Sequence, residues 1–422
     1  MVNLIIELNI MNIKFPRKAT TLLAVCLLII SALSGCDEQS TSKRNNNTVT
    51  NDEQPIWNNA ANISRLIPAR VKDRLIWAQD INRIMDDLKI VKNKENICSV
   101  IAVIDQESNF VANPAVPGLG KKAINAFQKE VPEKFVKQFG PTLGPAISRY
   151  FAYVLANEPT KDNSFLKQIS KVKTEQELDL IYRQIYSYVS KQFYADGLAN
   201  AAAKLTGKDL GERNNPITTI GSMQVSIKYA LDHQSDNVSV NELRDYLYTR
   251  EGGLYYGIHR LLKYPAAYKQ AQYRFADYNS GIYSSRNAAF QQDINKLLNM
   301  KMALDGDLLL YDKDGKAQHK VSQTETAINQ LFARHGVNIK PATVRADLLK
   351  EKQPEFEQTT TYQQILALYK QKFGQVAPYA IMPQVVISGP KLSKDYNTNW
   401  YANNVNRRYQ ICMRSGTSTR RR

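Results

Sequence analysis

The stretch Ile104-Asp105-Gln106-Glu107-Ser108-Asn109-Phe110 ends an otherwise apolar run, NICSVIAVI, with a carboxylate. Val100, Ile104 and Glu107 follow one another at spacings of four and three, so on a helix they share a face, while Asp105 points elsewhere. A carboxyl placed where an apolar stripe meets a cleft loses hydration, which raises its pKa and keeps a proton available for donation near neutral pH. Glu107 is therefore the candidate catalytic acid. Metal chemistry finds no support, because the four histidines His233, His259, His319 and His335 are scattered and there is no CxxC or cysteine-histidine cluster. No cofactor is implied. Gly118, Gly120 and Ala123 fit a loose dinucleotide fingerprint, but no strand precedes them and Pro117 blocks one.

The elements that must position such an acid are helical. Residues 97–108 read as a buried helix, preceded by a second helical period over about 68–92, through Val71, Leu75, Ala78, Ile81, Ile84, Met85 and Leu88. Residues 122–212 are again helical in character; Leu178, Ile181, Tyr182, Ile185, Tyr186, Val189 and Phe193 form one stripe. That stripe is either core or a tyrosine wall for stacking on sugar rings. IGSMQVSIKYALDH, LYYGIHRLLKY and YRFADYNSG carry helical period too. GDLLLYDKDGKA, residues 306–317, is the one strand-like passage, a β-hairpin turning at Asp314-Gly315. Beyond it come two more helices, an extended VAPYAIMPQVVISGP and a closing TNWYANNVNRRYQICM, with no chemistry-bearing motif. The expected class is mainly α, with a small hairpin and a C-terminal region of helices and extended chain.

The N-terminus belongs to targeting. Lys14, Arg17 and Lys18 precede an apolar core over Leu22 to Leu33, and Leu33-Ser34-Gly35-Cys36 resembles the bacterial lipobox, which implies cleavage before Cys36 and lipid on that cysteine. Residues 36–56 are polar and read as a tether to that anchor. The formal net charge is +17 over 422 residues and stays strongly positive without the leader. In an exported protein such a charge attracts cell-wall glycan with its peptide carboxylates and anionic lipid; the compartment argues against nucleic acid. Once Cys26 leaves with the leader, Cys98 and Cys412 remain, as a disulfide in an oxidising envelope or as buried free thiols.

Three stretches line up in chain order: Glu107-Ser108-Asn109-Phe110, Gly221-Ser222-Met223-Gln224-Val225 opening a helix, and Ala276-Asp277-Tyr278-Asn279-Ser280-Gly281. Together they resemble the hallmark segments of the SLT-type lytic transglycosylases of the lysozyme-like superfamily. The resemblance implies a lysozyme-like helical domain over residues 57–300 with a large helical insertion at about 122–212, and a separate C-terminal region, 301–422. It implies Glu107 as the catalytic acid, Ser108 as the residue orienting it, Ser222, Met223 and Gln224 lining the glycan cleft, and Tyr278 with Asn279 near the scissile bond. EGGLYYGIHRLLKY resembles the family helix before the tyrosine motif, with Gly257 allowing close packing. Two residues depart from the pattern: Ser222 stands where a larger apolar residue is usual, and Asp277 where alanine is common. Over its whole length the chain also resembles an exported lipoprotein family of proteobacteria described only as a domain of unknown function.

What the first resemblance implies is cleavage of peptidoglycan by one carboxyl. Glutamic acid protonates the glycosidic oxygen, the substrate's acetamido group helps carry the oxocarbenium charge, and the ionised glutamate then takes the C6 hydroxyl proton, leaving a 1,6-anhydro sugar. Ordinary glycosidases use two carboxylates, and Asp277, if it approaches Glu107 through space, revives a hydrolytic muramidase. A non-catalytic glycan-binding or envelope-assembly protein on the same scaffold is the reading of a different class. In each case the expected partners are peptidoglycan and, through the N-terminal lipid, a membrane facing the periplasm.

Overall fold

A computed structural model describes residues 57–195, 215, 217–235, 238–312, 315–387 and 396–415. Cys36, the leader and the tether lie outside the described residues, as does Asp314. Three helices open the fold: α1 (Ala60–Leu66), α2 (Arg74–Asp87) and α3 (Lys94–Glu107). Local chemistry sets the limits of α3. The Asn93 side chain accepts from the Asn96 amide at its start, and Glu95 sits in the first turn, where the helix dipole favours an anion. Its apolar period is fully used, with Ile97, Val100, Ile101 and Ile104 buried. After Glu107 the chain turns sharply, because Asn109 and Phe110 both adopt left-handed backbone, at φ 54° and 62°. Phe110 is thereby driven inward, edge-on to Trp77 of α2 with ring centroids 5.3 Å apart. This contact anchors the end of α3 that carries Glu107.

The insertion follows as α4 (Leu119–Asn157), α5 (Phe165–Lys171) and α6 (Glu175–Ala195). Gly140, at φ 80° and ψ 175°, breaks α4 just before Pro141. The aromatic stripe of α6 faces inward: Tyr182 lies against Phe127 and Tyr186 against Phe151, each with centroids 5.9 Å apart. Leu178, Ile185 and Val189 are buried beside them, so this face is core and not a sugar platform. The Phe193 side chain lies outside what the structure describes.

Next come the strands β1 (Thr219–Ile220) and β2 (Val225–Ser226), paired antiparallel with Ile220 opposite Val225, and then α7 (Ile227–Asp232), α8 (Val240–Tyr248), α9 (Arg250–Leu262), α10 (Ala271–Ser280) and α11 (Ser284–Leu298). Gly221-Ser222-Met223-Gln224 is therefore the tip of a hairpin and does not open a helix. Gly221 is required there twice over: its φ is 84°, and a Cβ on it would lie 2.4 Å from the Leu247 carbonyl oxygen. The helix starts later, at Ile227, where the Ser226 side chain caps α7.

From α11 the chain builds a second core with α12 (Gln323–Arg334), α13 (Pro341–Leu348) and α14 (Thr360–Phe373), around Phe290, Ile328, Phe332, Phe356 and Ile365. Among the described residues the hairpin expected at 306–317 is short: Tyr311 and Ala317 form a bridge, flanked by bonds from Asp312 N–H to Lys316 C=O and from Gln318 N–H to Leu310 C=O. The backbone groups of Leu308 are spent elsewhere: its N–H donates to the Glu351 carboxylate, and its C=O accepts from the Ser322 hydroxyl that caps α12. Leu308 and Leu309 are buried in the second core in consequence.

A last hairpin, β3 (Val386–Ile387) with β4 (Tyr396–Asn397), returns the chain to the first core as α15 (Thr398–Arg414). Tyr401, Ala402, Val405, Tyr409 and Cys412 of α15 belong to the same buried cluster as Ile81, Ile101 and Phe275. A division at residue 300 thus separates α15 from the helices it packs on, and the C-terminal region is not an independent module. Among the described residues the fold is mainly helical, and no helix there is long and apolar enough to cross a membrane.

Candidate active site

Glu107 is half-buried at the last turn of α3, and its Oε1 accepts a hydrogen bond from the Tyr401 hydroxyl. Tyr401 is only 6% exposed. Burial, and then the adjacent Glu107 carboxylate and Tyr278, hold its pKa well above the ordinary phenol range, so it stays a neutral donor. Nothing in local sequence marks Tyr401; α15 brings it in. That helix is fixed beside α3 by two contacts, the Cys98–Cys412 disulfide, with Cα atoms 5.5 Å apart, and the Arg408–Asp105 ion pair at 3.2 Å, and beside α10 by Tyr409 against Phe275. Asp105 also pairs with Arg70, so its carboxylate is held between two guanidinium groups.

The orienting role expected of Ser108 is not seen. Its hydroxyl donates to Ile104 C=O, 3.1 Å away in its own helix, and closes α3 instead. Tyr401 holds the carboxyl in its stead.

Tyr278, on α10, donates to Met223 C=O at 2.7 Å and so joins the hairpin tip to the tyrosine motif. Burial raises its pKa, Arg260 opposes the shift and Glu107 adds to it, which places Tyr278 in the same electrostatic neighbourhood as the acid. The Arg260 guanidinium lies between two rings, 5.2 Å from the Tyr229 centroid and 5.5 Å from that of Tyr278, and donates to Tyr278 C=O. Behind it, Tyr229 bonds His259 at 2.6 Å, and burial lowers the His259 pKa to about 4, so this imidazole is neutral near pH 7. Asn279 is half-buried beside α15, its Oδ1 3.5 Å from the Thr398 hydroxyl.

Ser222 and Met223 are completely buried and do not line a cleft. Met223 packs on Gly257, where any Cβ would overlap it, and Ser222 is pressed against Gly253. The hairpin tip faces inward because α9 offers a glycine surface that these side chains fill. Gln224 is half-buried at the tip and held from both sides, accepting from Thr219 at 3.0 Å and donating to the Glu175 carboxylate at 3.2 Å. Glu175 comes from the first turn of α6, is 3% exposed, and also takes Tyr248 O–H on its backbone carbonyl. It is a second site carboxylate that sequence reasoning missed; an acid in the first turn of a helix ordinarily reads as a dipole partner.

Asp277 is the clearest correction. Fully buried, it accepts from the hydroxyls of Tyr268 (2.6 Å), Tyr264 (3.1 Å) and Ser284 (3.2 Å) and from the amides of Ser285 (2.7 Å) and Tyr283 (3.1 Å). Burial pushes its pKa up against these donors. A carboxylate so enclosed ties α10 to α11 and is not a base for an incoming water. Among the described residues no group of three or more His, Cys, Asp or Glu side chains is placed to hold a metal ion.

Residues 70–415 match the family described as "Protein of unknown function (DUF1615)". The chain belongs to the DUF1615 family. The match includes Glu107, Gln224, Tyr278 and Tyr401, so α15 lies within the DUF1615 unit and is no appendage to it. A relative in Escherichia coli strain K12, "Uncharacterized protein YaiW", is 32% identical over 399 residues, covering 94% of this chain and 99% of its own. No solved structure matches the DUF1615 chain.

Proposed function

We propose that this chain is a lytic transglycosylase of the cell envelope, built on a lysozyme-like scaffold, lipid-anchored at Cys36 and acting on peptidoglycan. The observation that supports it best is the link, through Tyr278, between the Glu107 carboxyl and the distant Gly221–Gln224 turn. Glu107 ends α3, Tyr278 shares its electrostatic surroundings, and Tyr278 is bonded in turn to the Gly221–Gln224 turn. In this reading Glu107 protonates the glycosidic oxygen between N-acetylmuramic acid and N-acetylglucosamine. The acetamido group carries part of the oxocarbenium charge, and ionised Glu107 then takes the C6 hydroxyl proton. Neutral Tyr278, Asn279 and Gln224 surround the reacting sugar, where an unpaired charge would be costly to bury.

A hydrolytic muramidase is the second reading, and it rests on Glu175, since Asp277 is enclosed by its five donors. Glu175 lies against Gln224 and would have to activate a water. Both are tested by incubating the lipid-free chain from residue 37 onward with purified sacculi and weighing the released muropeptides. Anhydro ends that vanish in Glu107→Gln support the transglycosylase, and reducing ends that vanish in Glu175→Gln support hydrolysis. Sacculus binding with no release overturns both and leaves a non-catalytic glycan-binding protein.

A further inference from the structure

We infer that Tyr401 is the positioning residue for Glu107, and that α15, tied to α3 by the Cys98–Cys412 disulfide, is the clamp that keeps it there. The inference rests on the reading of Glu107 as the proton donor and adds to it a residue from outside the three motifs. A glutamate at a helix end has three side-chain torsions, and a proton donor must hold its carboxyl within a narrow range of rotation to gain from proximity. Ser108, the neighbour placed to restrain it, has its hydroxyl committed to Ile104 C=O. The Tyr401 hydroxyl bonds Oε1 instead.

A phenol suits the task in both halves of a proton-transfer cycle. It donates to the carboxylate and accepts from the carboxylic acid, so the contact survives the change in protonation that the reaction requires. Because the phenol is enclosed and stays neutral, it sets no second negative charge beside Glu107.

The clamp itself spans both ends of α15. Thr398, its first residue, has its amide on Val385 C=O at 3.0 Å and its hydroxyl near Asn279. Tyr401 follows one turn later, Arg408 pairs with Asp105, and Cys412 is bonded to Cys98, near the start of α3. The contacts to α3 thus run antiparallel: Cys98 meets the far end of α15, Asp105 its middle and Glu107 its first turn. With the disulfide cut, the Tyr401–Glu107 bond depends on the Arg408–Asp105 ion pair, the Thr398 bonds and side-chain packing.

The test compares wild type, Tyr401→Phe and Cys98→Ser/Cys412→Ser in the chain from residue 37 onward, with far-UV spectra to establish folding. In Tyr401→Phe, kcat on sacculi is expected to fall about 10- to 100-fold with KM within about threefold, the loss typical of a misplaced catalytic group. The alkaline limb of the pH–rate profile, where Glu107 loses the proton it must donate, is expected to move toward higher pH, since a donor to the ionised carboxylate is gone. The double serine variant is expected to move both in the same direction by a smaller amount. An unchanged rate and pH profile in a folded Tyr401→Phe variant overturns the inference.

A second readout needs no turnover. Labelling by a water-soluble carbodiimide with glycine ethyl ester, followed by peptide mass, reports the freedom of individual carboxyls. Glu107 is expected to label several-fold faster in both variants, with exposed Glu95 unchanged. If wild type releases no muropeptide, the functional reading fails while faster labelling still establishes the clamp; equal labelling of Glu107 in all three proteins overturns the clamp whatever the activity.

Discussion

Arg244 of α8 donates through Nε to Oδ1 of Asp179 of α6 at 2.9 Å, and both side chains are at most 2% exposed. The same carboxylate takes Arg183 and Asn215, and the Arg244 guanidinium also reaches Ile217 C=O, just before β1. The insertion is therefore locked to the helix and hairpin that carry Gln224. One turn before Asp179, Glu175 completes the contact by holding Gln224 itself.

Asp179→Ala leaves Arg244 buried without its counter-charge, which costs about 3–5 kcal/mol. Denaturant unfolding is expected to show that loss, and Asp179→Ala/Arg244→Met less than the sum of the single changes, because the two share one interaction. Binding of sacculi is expected to weaken along with stability, since Glu175 and Gln224 lose their register. An effect on stability with unchanged binding would detach the insertion from the site.

Gly257→Ala places a Cβ 2.4 Å from Met223 Sδ and 2.6 Å from its Cβ. The sulfur end can swing aside but the Cβ cannot, so the hairpin tip must move, at about 1–3 kcal/mol for an overpacked core. The carbonyl of Met223 carries the Tyr278 bond, so muropeptide release is expected to fall more than stability does. Wild-type turnover in Gly257→Ala would show that the tip has no part in the site.

Asp277→Asn turns an acceptor of five donors into a group with two N–H donors of its own. At least one existing donor then faces an N–H, and stability is expected to fall by about 3 kcal/mol. The ratio of anhydro to reducing ends is expected to stay as in wild type. A switch in that ratio would place Asp277 in the chemistry after all.

The second core carries a pH dependence of its own. Burial raises Asp293 from the ordinary 3.8 to about 7, with neither carboxyl oxygen hydrogen-bonded and Lys296 opposing the shift. It raises Glu351 from 4.5 to about 8, against the Tyr311 hydroxyl. The unfolded chain releases these protons at lower pH than the folded one, so the folded state binds more protons and stability falls as pH rises from about 4 to about 8, then levels. Asp293→Asn is expected to remove that residue's share of the slope, which lies between about pH 4 and about pH 7, to leave the Glu351 share, and to raise stability at pH 7 and above. Denaturant midpoints at pH 5, 6, 7 and 8 measure it, and an unaltered slope in the variant refutes the assignment.

How far the sequence reached depended on the range of the interaction. The helix read at 97–108 was legible because an apolar period of three and four acts within a few residues; its true start at Lys94, set by the Asn93 cap, was not read. The α14 helix was legible for the same reason, ending at Gly374 in the left-handed conformation that a helix stop favours. The hairpin expected at 306–317 pairs only near Tyr311 and Ala317 among the described residues, because the tertiary competitors Glu351 and Ser322 take the backbone groups of Leu308.

The sequence by itself determined the helical class, Glu107 as a candidate for acid chemistry, and the two cysteines available for a bond. Only the tertiary structure decided which groups surround the acid. Tyr401 meets Glu107 across 294 residues of chain, Gln224 meets Glu175 across 49, and Asp277 is enclosed by donors folded around it. Periodicity reports which face of a helix is buried. It does not report which distant helix lies against that face, because that choice is made by the packing of whole elements and by the path along which the chain returns.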